Sequence, residues 1–203
     1  MSRKVLLVTS VLALVGLFGA AVAAAGPSSQ VGGNGRGPAS LDESADQVVI
    51  FMTARGERQG LIQGSVSQAG VEDWMEVVGY SHEIVSPRDA ASGLPTGKRQ
   101  HKPLVVTKPV DKATPLLYNA LVSAENLTDV TLEFYEQHPR TGRLQHYFTI
   151  ELQNASIEGI ASGRPADEAH EPREHVSFTY QKIEWTWEDG GITAEDDWET
   201  PGS

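Results

Sequence analysis

Between Val176 and Trp187 twelve residues run without a glycine or proline, in the order VSFTYQKIEWTW. As an extended strand this stretch spans roughly 40 Å at ~3.3 Å per residue, too long to lie straight in a compact domain. Its pattern shows how it fits. Val176, Phe178 and Tyr180 share one parity, whereas Ile183, Trp185 and Trp187 share the other. Side chains alternate faces along a strand, so the change at Gln181-Lys182 requires a bulge, a bend or a change of partner. A curved sheet, closed or nearly closed, satisfies that requirement.

The remainder of the chain supplies the strands. An apolar run at residues 48–52 is followed by the turn-forming segment 56–60 and by residues 61–66, a hairpin pattern. Met75, Val77, Val78, Tyr80 and Ile84 form another strand, broken at Gly79. Val130, Leu132 and Phe134 alternate with Thr131, Glu133 and Tyr135; a turn at residues 138–142 leads to Phe148, Ile150 and Leu152 on one face. Residues 154–160 continue as a short strand, and residues 161–174, with Gly163, Pro165 and Pro172, read as a surface loop. One helix is expected: Asp111 or Thr114 caps a turn that carries Pro115 early and buries Leu116, Leu117, Ala120 and Leu121. The fold class is mostly β, with seven or eight strands and one short α-helix.

Residues 86–103 interrupt this regularity. Pro87, Gly93, Pro95 and Gly97 prevent regular structure, and Arg88, Lys98, Arg99 and Lys102 keep the segment solvated, so it should protrude as a long loop. Leu104 to Thr107 then form a strand.

Several chemistries are excluded or weakened. The 203 residues contain no cysteine, which removes disulfides, thiolate metal sites and a cysteine nucleophile. The closest histidine pairs, His170 with His175 and His138 with His146, lie in or beside a loop and a turn and lack the form of a zinc site. The acidic ending EDGGITAEDDWE lacks calcium-loop spacing and reads as a solvated extension in which Trp198 packs on the body. Neither a Gly-x-Ser-x-Gly elbow nor a phosphate-binding glycine loop occurs, so no catalytic residue and no cofactor is expected. Trp185 and Trp187 share a strand face and read as core or subunit interface. A formal charge of −11 makes nucleic acid a poor partner.

The amino end reads as a secretory leader. Arg3 and Lys4 precede an apolar run at residues 5–18, and Ala21-Val22-Ala23 and Ala23-Ala24-Ala25 fit the small-residue cleavage rule. Residues 1–25 are therefore expected to be a signal peptide, 26–45 a flexible Gly/Ser/Pro-rich tether, 46–199 the folded domain and 200–203 a tail. Cleavage would remove Arg3 and Lys4, taking the formal charge from −11 to −13, and would leave no stable membrane anchor.

Three blocks in order, VVIFMTARGERQGLIQGSV from Val48, SHEIVSPRDAASGLPTGKRQHKP from Ser81 and VSFTYQKIEWTWEDGGITAEDDWE from Val176, closely resemble the Hcp family, the haemolysin-coregulated tube proteins of bacterial type VI secretion. The resemblance covers roughly residues 46–199. It implies an Hcp-like β-barrel that assembles as a homo-hexamer, stacks as rings into a hollow tube, and meets sheath, spike and effector proteins of a contractile apparatus. Under it, the cationic loop (Arg88, Lys98, Arg99, Lys102) is expected to reach acidic surface on the next ring. Family members generally lack a cleavable leader, so two routes fit: a tube subunit or carried effector, or a Sec-exported relative forming rings or filaments outside the cytoplasm. A monomeric extracellular module, holding a ligand with Trp185 and Trp187 or the acidic ending, is the third reading.

Overall fold

The computed structural model of the chain describes residues 48–164 and 171–198. The expected leader, the tether, His170 and the 200–203 tail lie outside the described residues. In chain order the elements are β1 (Val49–Gly56), β2 (Gly60–Ile62), β3 (Met75–Val77), β4 (Gly79–Ser81), β5 (Ile84–Val85), β6 (Gln100–His101), β7 (Leu104–Pro109), α1 (Thr114–Val122), β8 (Leu127–Gln137), β9 (Leu144–Gly163), β10 (Arg173–Trp187) and β11 (Ile192–Asp197). The described residues thus hold eleven strands where the pattern suggested seven or eight. The surplus comes from the short strands β3 to β6, which alternation alone cannot divide, and from β11 in the acidic ending.

The main sheet runs β2-β1-β8-β9-β10-β7-β4, with β11 added to β10 and β3 to β1, every pair antiparallel. As a ladder this path is open. Residues 75–81 bridge its two sides by changing partner. Met75 and Val77 pair with Met52 and Ile50 on β1, the Val78 N–H donates to the Thr107 carbonyl at 2.8 Å, and β4 then pairs with β7.

The parity change in β10 lies on a corner shared by three strands. Tyr180 pairs with Ala155 and Lys182 with Gln153, so Gln181 faces Asn154, which adopts the left-handed conformation at φ 49°. Asn154 tolerates it because its short amide finds a local partner, here the Gln181 side-chain oxygen at 2.8 Å. On β8 the same level falls at Thr128, between Leu127 opposite Ala155 and Asp129 opposite Gln153, beside a register shift in the β1 ladder. Buried residues change parity there on β9 as well, from Ile150 and Leu152 to Ala155 and Ile157. The corner folds the twenty residues of β9, roughly 66 Å if straight at ~3.3 Å per residue, around one core. The surface loop expected at 161–174 is partly strand, since β9 runs to Gly163 and β10 starts at Arg173.

Met52, Leu104, Leu132, Leu152, Phe178 and Ile183 are fully enclosed, and each such side chain contributes about 1.5–3 kcal/mol of transfer free energy. Helix α1 buries Leu117 and Ala120, with Leu116 and Leu121 partly covered. Its cap differs from expectation. Ala113 is the N-cap and makes no side-chain cap bond; the Asp111 carboxylate accepts from the Ala113 N–H at 3.0 Å, one residue outside the helix.

Two buried ionic groups anchor the connections. Glu125, 3% exposed, accepts the N–H groups of Arg58 and Gln59 at 2.7 and 2.8 Å and so fixes the β1–β2 turn; these bonds, that from Gln59 foremost, hold its carboxyl below the usual range. Lys108 lies on the core-facing parity of β7 behind Leu104 and Val106. Its ammonium donates to the Pro109 carbonyl at 2.8 Å, Asp111 at 2.7 Å and Glu174 at 2.8 Å. Thr114 adds a second bond to Glu174 at 2.9 Å, tying the first turn of α1 to β10.

Candidate functional site

The protruding segment is built from its own bonds. At its root β5 pairs with β6, Ile84 opposite His101. Near its tip Arg88 and Pro95 form an isolated bridge, and the Asp89 carboxylate accepts from the N–H groups of Ala91 and Ser92 and the Ser92 hydroxyl at 3.1, 2.7 and 2.8 Å. These bonds, that from the Ser92 hydroxyl first, favour the carboxylate and hold the Asp89 carboxyl below its ordinary value. Arg88 donates to the Gly93 carbonyl at 3.1 Å within the tip. Lys98 and Lys102 are exposed, and Leu94, 65% exposed, is the most prominent apolar side chain of the loop.

Arg99 is placed differently. Its guanidinium pairs in bidentate fashion with Asp196 on β11 of the same chain and donates to the Asp197 carbonyl at 3.0 Å. This removes it from the set of cations free to meet a neighbour. The Arg99 bonds hold the Asp196 carboxyl below its usual range.

From Asp196 a polar relay runs into the barrel. His101 Nε2 lies 2.7 Å from Asp196 Oδ2, His101 Nδ1 lies 2.7 Å from the Tyr180 hydroxyl, and the same hydroxyl lies 2.6 Å from His82 Nε2. The His101 side chain is 4% exposed and Tyr180 8%. A carboxylate can only accept, so His101 donates through Nε2 to Asp196. Neutral His101 then accepts the Tyr180 proton at Nδ1, and His82 donates to the Tyr180 oxygen. Burial, then the proximity of His101, pushes the His82 imidazole below its ordinary value, and burial with Asp196 nearby raises the Tyr180 phenol. The hydroxyl between two imidazoles is saturated and enclosed, so the arrangement fastens the loop root to β10 and β11. A cavity of about 200 Å³ beside it is lined by His101, Lys102, Pro103, Thr179, Tyr180 and Trp198.

Trp185 is partly buried against the core, its ring centroid 6.2 Å from that of His82. Trp187 is 45% exposed and meets Tyr147 edge-on at 5.6 Å. The acidic ending is a strand, β11, rather than a solvated extension; it pairs with β10 from Lys182 to Trp187, its turn made by Gly190 and Gly191 at φ 87° and 62°. Trp198 rests on the His101 ring at 5.1 Å. His146 stacks on Tyr135, His138 accepts from the Arg140 N–H, and His175 meets the Thr107 hydroxyl. Among the described residues no three His, Asp or Glu side chains are placed to hold a metal ion, and no helix is long and apolar enough to cross a membrane.

Sequence reading missed the relay because His82, His101, Tyr180 and Asp196 are joined only by the fold. The one available signal was the symmetric placement of His82 and His101 at the two feet of the loop.

The fold is a bent antiparallel sheet with one helix and a self-braced protruding loop, and comparison with known proteins supplies its class. Residues 51–187 match the family described as type VI secretion system effector, Hcp. The chain is 41% identical over 165 residues to the major exported protein of Pseudomonas aeruginosa, covering 74% of this chain and 95% of that one. A solved Hcp protein superimposes with a TM-score of 0.70 at 33% identity, covering 74% of this chain and 99% of that one. The secreted protein Hcp3 of Pseudomonas aeruginosa gives 0.62 at 36%, covering 76% and 100%. The chain belongs to the Hcp family, the tube and effector proteins of type VI secretion.

Proposed function

We propose that this chain acts through shape alone, closing into hexameric rings that stack head to tail as a hollow tube, and that it performs no bond chemistry. The observation that carries the reading is correspondence over 99% of a solved Hcp chain together with a loop braced to stand clear of the barrel. Ring closure needs one heterologous contact and stacking a second. For the first, β2 and β11 each pair on one side only and expose Leu61 and Ile192, 42% and 68% accessible. For the second, Lys98 and Lys102 stand on the loop of a chain whose formal charge is −11. Opposite signs across the stack set register more than affinity, so tubes should shorten as salt rises.

Reversing Lys98 and Lys102 to glutamate is expected to leave rings intact and abolish tubes in electron micrographs. Unchanged tube length would remove the loop from the stacking contact. Residues 1–25 fit removal on export, which the protomer mass of exported material reads directly. Sheath, spike and effector proteins are the partners that such a tube would meet.

A further inference from the structure

We infer that the relay Arg99–Asp196–His101–Tyr180–His82 is an acid-released latch, which holds the loop root and β11 on the barrel while its two imidazoles share at most one proton. Proton counting gives the mechanism. With both imidazoles neutral, every donor in the chain from His82 to Asp196 has an acceptor. One added proton can be absorbed by a tautomer change: His101 donates from both nitrogens, to Asp196 and to the Tyr180 oxygen, the His82 proton moves from Nε2 to Nδ1, and the Tyr180 hydroxyl turns to donate to His82 Nε2. A second proton cannot be absorbed. Both imidazoliums then aim N–H groups at the Tyr180 oxygen, its own hydrogen loses its acceptor, and two cations face each other with ring centroids 6.3 Å apart.

The groups around the pair do not rescue this state. Tyr180 and Trp185 face His82 from β10, and Asp196 from β11 pairs with His101 and Arg99. Asp197 offers its backbone carbonyl to Arg99, and Lys102 beside the cavity adds positive charge. Consistently, His82 is held below its ordinary value by burial and by His101. The sign follows: the unfastened state binds more protons, so the latch is at full strength above about pH 6.5 and weakens as pH falls below it. Asp196, lowered by Arg99, keeps its share until well below the ordinary carboxylate value.

The inference does not depend on tube formation, because it is read within one protomer. Hydrogen–deuterium exchange, corrected for intrinsic rate, should show residues 99–103 and 192–198 exchanging at least about tenfold faster at pH 5 than at pH 7.5, with β8 and β9 unchanged. His82→Gln keeps a donor toward Tyr180 but takes up no proton, and should hold the latch shut at pH 5. Tyr180→Phe should leave it open at pH 7.5. Flat exchange in the wild-type chain down to pH 5, a uniform rise over the whole barrel, or release of His82→Gln at the wild-type pH would each overturn the latch.

Discussion

Replacing Lys108 by methionine should destabilise the barrel by about 3–5 kcal/mol, measured as a shift in urea midpoint at constant slope. The side chain is wholly enclosed on the core face of β7, and its three N–H groups are matched by three oxygens, from Pro109, Asp111 and Glu174. Methionine fills nearly the same volume, so packing is kept and only the charge is lost. What remains is the carboxylate of Glu174, equally enclosed, with Thr114 as its one remaining donor and an Oε2 that has no partner even in the native chain. An uncompensated ion at that depth outweighs any gain from removing the ammonium desolvation cost. The double change Lys108→Met with Glu174→Leu removes the two fully enclosed ions, leaves Asp111 accepting from the Ala113 N–H, and should recover most of the loss. If the single change costs under about 1 kcal/mol, the pair does not organise the junction of β7, β10 and α1.

The second large effect is expected at Gly64. A Cβ there would lie 2.2 Å from the Trp74 carbonyl oxygen and 2.5 Å from the Met75 nitrogen, both backbone atoms. That backbone cannot give way, because Met75 opens the β3 strand on β1 and is itself fully buried. Hydrogen bonds from Gly64 N to the Asp73 carbonyl and from Val66 N to the Trp74 carbonyl clamp the same two segments, at 2.5 and 3.0 Å. Gly64→Ala should therefore cost about 1–3 kcal/mol or more through overpacking, concentrated in the piece that bridges β1 and β7. Gly159→Ala is the control. Nothing lies within 4 Å of its Cβ position, so its midpoint should move by no more than about 0.5 kcal/mol. Equal effects at the two glycines would contradict close backbone approach as the cause.

The corner of the barrel was visible in the parity change at Gln181-Lys182, because a period of two leaves no other way to keep Tyr180 and Ile183 both inside. Its cause was not visible. The left-handed Asn154 and the interruption at Thr128 sit on other strands, and only pairing brings them level with Gln181. The loop was recognisable from its prolines, glycines and cations, since those residues act locally. Charge alone could not separate Lys98, which is exposed, from Arg99, whose partner lies 97 positions away on β11. A separation of 66 positions hid the ion pair of Lys108 and Glu174: Lys108 occupies a core-facing strand position where pattern reading expects an apolar residue, and Glu174 fell in a segment read as loop. Local propensity exposes strands and turns. Polar partners joined across the sheet come only with the register.

The claim on which the functional account rests is that this chain associates with itself in a closed ring, and native mass measurement of the exported protein tests it most directly. A species of six times the protomer mass, persisting on dilution, is the predicted result. A single protomer at every concentration up to the millimolar range would contradict it.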